Sequence, residues 1–274
     1  MPGVSAIMLR VGAVSYLNTR PLICGLRERL SGFGELSLNL PSRLADDLKC
    51  GKLDVALIPS IEYLGGKPHG YRAISDAVIA CRGPVWSVRL LSRVKIPQIR
   101  RLALDVGSRT SAVMVQILLA EQYGLRPQTV PLGIEQLPDA VDADAILLIG
   151  DRAMHPPVGV YEEIWDLGDR WCDWTGLPFV FALWVARAGL EESPALTAAL
   201  QESRDEGLAR LDEIAQREAA PHGLTVADLR KYFRENLHFT LGQHECDGLD
   251  LYRSKAEARG LLGGTQATLQ PIRP

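Results

Sequence analysis

The feature that most restricts what this chain can fold into is its alternation of short apolar runs with stretches of helical periodicity. Leu9 to Val14, Val55 to Pro59, Ala73 to Ala80, Val85 to Ser92, Leu102 to Leu104, Ala145 to Ile149 and Pro178 to Ala186 are apolar, of strand length and bounded by turn residues. Between them, Arg43 to Cys50 puts Leu44 and Leu48 on one helical face. Thr110 to Tyr123 does the same with Val113, Ile117 and Ala120, before Gly124 as a stop. This alternation predicts an α/β fold. The final third is helical: Ser193-Pro194 opens a helix running to Ala219, a capping-box pattern at Thr225 opens another to Leu237, and a last helix covers Leu249 to Leu261. The tail after Gly263 reads as frayed.

Two segments read as crossovers between lobes, Ser92 to Arg100 around Pro97 and Arg187 to Ser193. The expected division is residues 1–95 with 187–274 as lobe I and residues 96–186 as lobe II, leaving a cleft between them for a small ligand. Charge excludes other partners: 30 basic against 33 acidic residues in 274 give a net −3, which lacks the footprint of a nucleic-acid binder. Cys24, Cys50, Cys81, Cys172 and Cys246 are odd in number and scattered, which fits a reducing cytoplasm rather than a disulfide framework. Met1 to Arg10 does not read as a signal peptide, and no apolar run reaches the ~18 residues of a membrane span.

Candidate site residues cluster at strand ends, where open α/β sheets place ligands. Ser108-Arg109-Thr110-Ser111 follows a strand and the turn Asp105-Val106-Gly107 and opens a helix, so backbone N–H groups and hydroxyls converge on a potential anion site. The competing reading is one hydroxyl cap with the rest solvated, and Arg109 is either a carboxylate clamp or a surface charge. Asn18 lies after the first strand and before an expected helix from Pro21 to Leu30; it is a ligand-orienting amide or an N-cap. Ser60 and Ser87 sit at or in strand-like runs, Asp151 ends one as a general base or a helix cap, and Trp171, Trp174 and Phe179 wall a pocket or fill the core. No phosphate-binding loop, dinucleotide fingerprint, zinc-protease or nucleophile-elbow motif is present. His238, His244 and Cys246 match no metal template, so neither metal nor cofactor is expected.

The run Val11-Gly12-Ala13-Val14-Ser15-Tyr16-Leu17-Asn18-Thr19-Arg20-Pro21-Leu22 resembles the N-terminal signature of the MqnA-type chorismate dehydratases of the futalosine route to menaquinone. Asp54 to Ser60, Ser87-Val88, Ser108 to Ser111, Ile149-Gly150-Asp151 and Trp174 to Val180 follow in the order of that family. The resemblance implies a type II periplasmic-binding-protein fold, a cytoplasmic location, and cofactor-free loss of water from chorismate to give 3-enolpyruvylbenzoate. By the same resemblance, Ser108 to Ser111 seat a substrate carboxylate, Asn18 orients the departing hydroxyl or the group that removes the proton, and Ser15, Ser60 and Ser87 complete the hydrogen-bond set. The base is either a substrate carboxylate or Asp151. The alternatives are a non-catalytic small-anion binding module and the sister 1,4-dihydroxy-6-naphthoate synthase, whose N-terminal signature differs.

Overall fold

The computed structural model describes residues 8–262. The chain opens with β1 (Leu9–Val14), a 3-10 turn (Leu17–Ile23), the short α1 (Leu26–Arg29), β2 (Gly34–Asn39), α2 (Pro41–Lys49), β3 (Val55–Pro59), α3 (Ser60–Gly66) and β4 (Arg72–Cys81). It continues through β5 (Val88–Ser92), β6 (Arg101–Asp105), α4 (Thr110–Tyr123), β7 (Gln128–Leu132), β8 (Ala145–Ile149), α5 (Asp151–Met154), β9 (Glu163–Asp166) and α6 (Leu167–Thr175). It closes with β10 (Phe179–Ala186), α7 (Pro194–Ala209), α8 (Leu211–Ala219), α9 (Val226–Lys231), a π-helical turn (Tyr232–Asn236), β11 (His238–Thr240) and α10 (Gln243–Glu257).

These strands form two mixed sheets, a six-stranded one in the order β11-β4-β10-β3-β1-β2 and a five-stranded one in the order β7-β6-β8-β5-β9. Every residue of β3 and β10 is buried, because both strands lie inside the first sheet and are covered on both faces; that is why they read as unbroken apolar runs. In the second sheet, side chains split with period two. Leu90, Leu102, Leu147 and Ile149 join the main core that includes α4, whereas Leu91, Ala103, Ile146 and Leu148 form a smaller cluster on the other face. Gly124 ends α4 at φ 68°, its N–H returning to the Ala120 and Leu119 carbonyls.

The structure moves the boundaries expected from the sequence. Phe179–Ala186 pairs antiparallel with both β3 and β4, so it belongs to the six-stranded sheet, and Val88–Ser92 pairs with β8 and β9 in the five-stranded one. The chain therefore changes sheets between Cys81 and Val88 and returns just before Phe179; Pro97 sits instead in a 3-10 turn between β5 and β6 of one sheet. Apolar patterning shows that a segment is a strand but not which sheet takes it.

Helix boundaries shift as well. The expected Pro21–Leu30 helix is a 3-10 turn followed by four helical residues, and the helix from Pro194 is broken at Arg210 (φ −108°, ψ 21°) into α7 and α8. The Thr225 helix, with its capping box in place, becomes a π turn at Tyr232, and the last helix starts earlier, at Gln243. The tail after Gly263 and the start of the chain through residue 7 lie outside the described residues. Trp171 is fully buried and stacks edge-on against Phe179, with centroids 5.0 Å apart, so these rings are core. Among the described residues no helix is long and apolar enough to cross a membrane.

Candidate active site

The C-terminal ends of β1, β3 and β8 meet the start of α4 across a cleft between the two sheets. Its empty volume, open mouth included, is about 520 Å³. The apolar wall includes Val14, Pro59, Ile79, Ile149 and Phe181; the polar lining comes from Tyr16, Asn18, Ser87 and Ser108 to Ser111.

The start of α4 is set by its turn. Asp105 Oδ1 accepts the Gly107 N–H at 2.9 Å and its carbonyl accepts the Ser108 N–H at 3.0 Å, which leaves α4 with no side-chain cap. Ser108 and Ser111 line the cleft beside this uncapped helix start, and a helix N-terminus with hydroxyl residues suits an anion.

The other members of that motif are engaged elsewhere. The Arg109 guanidinium is held by Asp46 of α2 at 2.8 Å and Glu62 of α3 at 3.2 Å, so it ties the lobes together at the cleft edge instead of standing free as a carboxylate clamp. Thr110 Oγ1 donates to the Phe181 carbonyl at 3.2 Å and accepts the Ile61 N–H at 3.3 Å, pinning the seam. Ser60, fully buried, lies 3.4 Å from the same oxygen, away from the cleft lining. Ser15 also lies outside the lining; its N–H bonds the Asn39 carbonyl.

Asn18 is inside the 3-10 turn, whose N-cap position is Tyr16, so it is not a helix cap. Its Oδ1 accepts the Thr19 hydroxyl at 3.3 Å. Ser87, 1% exposed, accepts the Tyr232 O–H at 2.9 Å.

Asp151 lies behind the cleft, not in its lining. It is the first residue of α5, its Oδ1 accepts the Leu17 N–H at 3.2 Å, and its Oδ2 faces His222 Nε2 at 3.6 Å. His222 Nδ1 is bonded to the Glu218 carbonyl at 2.8 Å, which makes Nδ1 the protonated nitrogen. Burial raises the Asp151 pKa, opposed by the Leu17 bond and nearby His222 and Arg20.

Tyr16 is wedged between Gly107 and Gly150: a Cβ on Gly107 would meet its hydroxyl at 3.0 Å and one on Gly150 would meet its ring at 2.9 Å. Burial, together with Asp105 and Asp151, raises its phenol pKa, so it stays a neutral hydrogen-bonding group. Tyr16, Tyr232 and His222 were not singled out by the sequence reading. Tyr16 carried a signal inside Ser-Tyr-Leu-Asn; the other two carry none, being distant in sequence from what they touch. Among the described residues no group of three or more His, Cys, Asp or Glu side chains is placed to hold a metal ion.

Two α/β lobes, two crossovers and a cleft at the strand ends define the periplasmic-binding-protein fold. AF1704 from Archaeoglobus fulgidus superposes with a TM-score of 0.74 at 16% identity, covering 94% of this chain and 100% of that one. The periplasmic aliphatic sulphonate binding protein SsuA from Escherichia coli superposes with 0.62 at 15% identity, covering 98% and 94%. The profile of the menaquinone biosynthesis family matches residues 9–258, and the chain belongs to that family. The chorismate dehydratase of Thermus thermophilus is 33% identical over 268 residues, covering 92% of this chain and 95% of the relative. That of Campylobacter jejuni is 25% identical over 256 residues, covering 91% and 98%.

Proposed function

We propose that the protein is a chorismate dehydratase, a lyase that converts chorismate to 3-[(1-carboxyvinyl)oxy]benzoate and water, working without metal or organic cofactor in the cytoplasm. One observation carries the mechanism: the lining is rich in neutral hydrogen-bonding groups and includes no acidic side chain among the described residues. The base is then the substrate's own enolpyruvyl carboxylate, folded over the ring. It takes the proton from the ring carbon bearing the ether, the C–H electron pair becomes the new ring double bond, and the neighbouring C–O bond breaks. The hydroxyl leaves as water with that proton, so atoms and charge balance within the substrate. Aromatisation drives the step, and the protein's part is to hold the arm and the hydroxyl in register.

In this reading the ring carboxylate sits on the α4 amides with Ser108 and Ser111, and Asn18 and Ser87 orient the departing hydroxyl. Thr110, Ser60 and Arg109 support the closed arrangement, and Ser15 supports the strand end. Asp151 holds the Leu17 backbone next to Asn18. The test is incubation with chorismate in the presence of a chelator, followed by mass spectrometry for loss of one water and by the absorbance of the aromatic product. Rapid chelator-insensitive conversion supports the reading; tight binding without conversion would make this a binding module. Asn18→Ala should lower turnover much more than affinity, and unchanged turnover would remove Asn18 from the mechanism.

A further inference from the structure

Tyr232 is fully buried and outside the cleft lining, yet its hydroxyl donates to Ser87, whose side chain belongs to that lining. A phenol has one hydrogen, and here it goes to Ser87 Oγ at 2.9 Å. Ser87, having accepted from Tyr232, keeps its own hydrogen; the intramolecular acceptor for it is the Val85 carbonyl at a long 3.4 Å, so a better-placed ligand oxygen takes it easily. The phenol is itself held fast. The π-helical turn Tyr232–Asn236 delivers it between α9 and β11, a departure from α geometry common at functional sites, and Trp86 packs edge-on against its ring at 5.5 Å and 76°.

We infer that Tyr232 is a positioning residue: by donating to Ser87 its hydroxyl leaves the Ser87 O–H to act as a donor toward an oxygen of the bound ligand. This rests on the dehydratase reading for the identity of that oxygen, the departing hydroxyl, but not for the network itself.

The test is Tyr232→Phe, which removes one oxygen and keeps the ring. Its kcat should fall about 10- to 100-fold, the range for losing one partner of a buried hydrogen bond, with KM changed less than about 3-fold and the melting curve still cooperative. In a Ser87→Ala background the same substitution should have an effect at least about 3-fold smaller, because the two act through one network. Unchanged kcat, or fully additive losses, would overturn the proposal. Crystal structures of the wild type and of Tyr232→Phe read the claim without turnover. Loss of a single Ser87 rotamer supports it even if chorismate proves not to be the substrate; an identical Ser87 side chain overturns it.

Discussion

Replacing Gly150 by alanine probes the wall of the cleft with two separable penalties. Gly150 has φ 60° and ψ −146°, a conformation almost confined to glycine, which costs another residue about 1–3 kcal/mol. A Cβ there would also stand 2.9 and 3.0 Å from Cδ2 and Cε2 of the Tyr16 ring, and overpacking of a fixed ring adds about 1–3 kcal/mol. The ring cannot back away freely, because Gly107 closes its other side. Gly150→Ala should therefore lose about 2–6 kcal/mol in urea denaturation, a large share of a typical domain's stability. Gly51→Ala is the control for the backbone component: it has φ +72° with no atom within 4 Å, and should cost no more than about 1 kcal/mol. If the two variants unfold at the same urea concentration, the Tyr16 contact is not confining and the argument fails. Chorismate turnover should fall with Gly150→Ala and not with Gly51→Ala.

Three further outcomes follow from the electrostatics. Asp54 accepts from Arg10 Nε and Nη2 at 2.9 Å and from Arg187 at 3.0 Å, and the Arg10 hydrogen bond holds its carboxyl well below the usual carboxylate range. A depressed folded pKa stabilises above the unfolded value of about 3.9 and is lost as pH falls below it, so Asp54→Asn should flatten the acid limb of melting temperature against pH. An unchanged acid limb would mean the pair contributes nothing. For Asp151 the sign reverses: its raised pKa means the charged form costs stability at neutral pH and the cost vanishes on protonation. Asp151→Asn, which can still accept the Leu17 N–H, should melt no lower than wild type at pH ~7 and keep turnover within about 10-fold; a fall beyond about 1,000-fold would make Asp151 the base. Arg109→Gln cuts the tie to Asp46 and Glu62, so ligand affinity should weaken about 2- to 10-fold with kcat nearly kept; a loss confined to kcat would place Arg109 on the substrate.

Some elements were legible from local chemistry alone. Leu9–Val14, Val55–Pro59, Ala145–Ile149 and Thr110–Tyr123 have the same ends in sequence and structure because an apolar run bounded by turn residues, or a C-terminal glycine, marks them. Strands β2, β7 and β9 escaped notice: Gly34–Asn39 alternates polar residues at a sheet edge, Pro131 interrupts β7, and Glu163–Asp166 is four residues long. The turn that seats Ser108 and Ser111 was readable as an anion site, but the fate of Arg109 was not, since Asp46 and Glu62 lie 63 and 47 residues away in sequence. Tyr232 meets Ser87 across 145 residues, a contact that only the closed tertiary structure creates.

Strand β10 lies between β4 and β3, although about 100 residues of the other lobe separate it from β4 in the chain. On the ribosome the five-stranded half, continuous from β5 to α6, can complete itself while β3 and β4 each still present a raw edge to the cytosol. At the usual pace of translation that interval lasts about 5–20 s. Lesions in Phe179–Ala186 will therefore register first as poor yield and aggregation of nascent protein, through edges left unpaired, rather than as weakened catalysis in the molecules that mature.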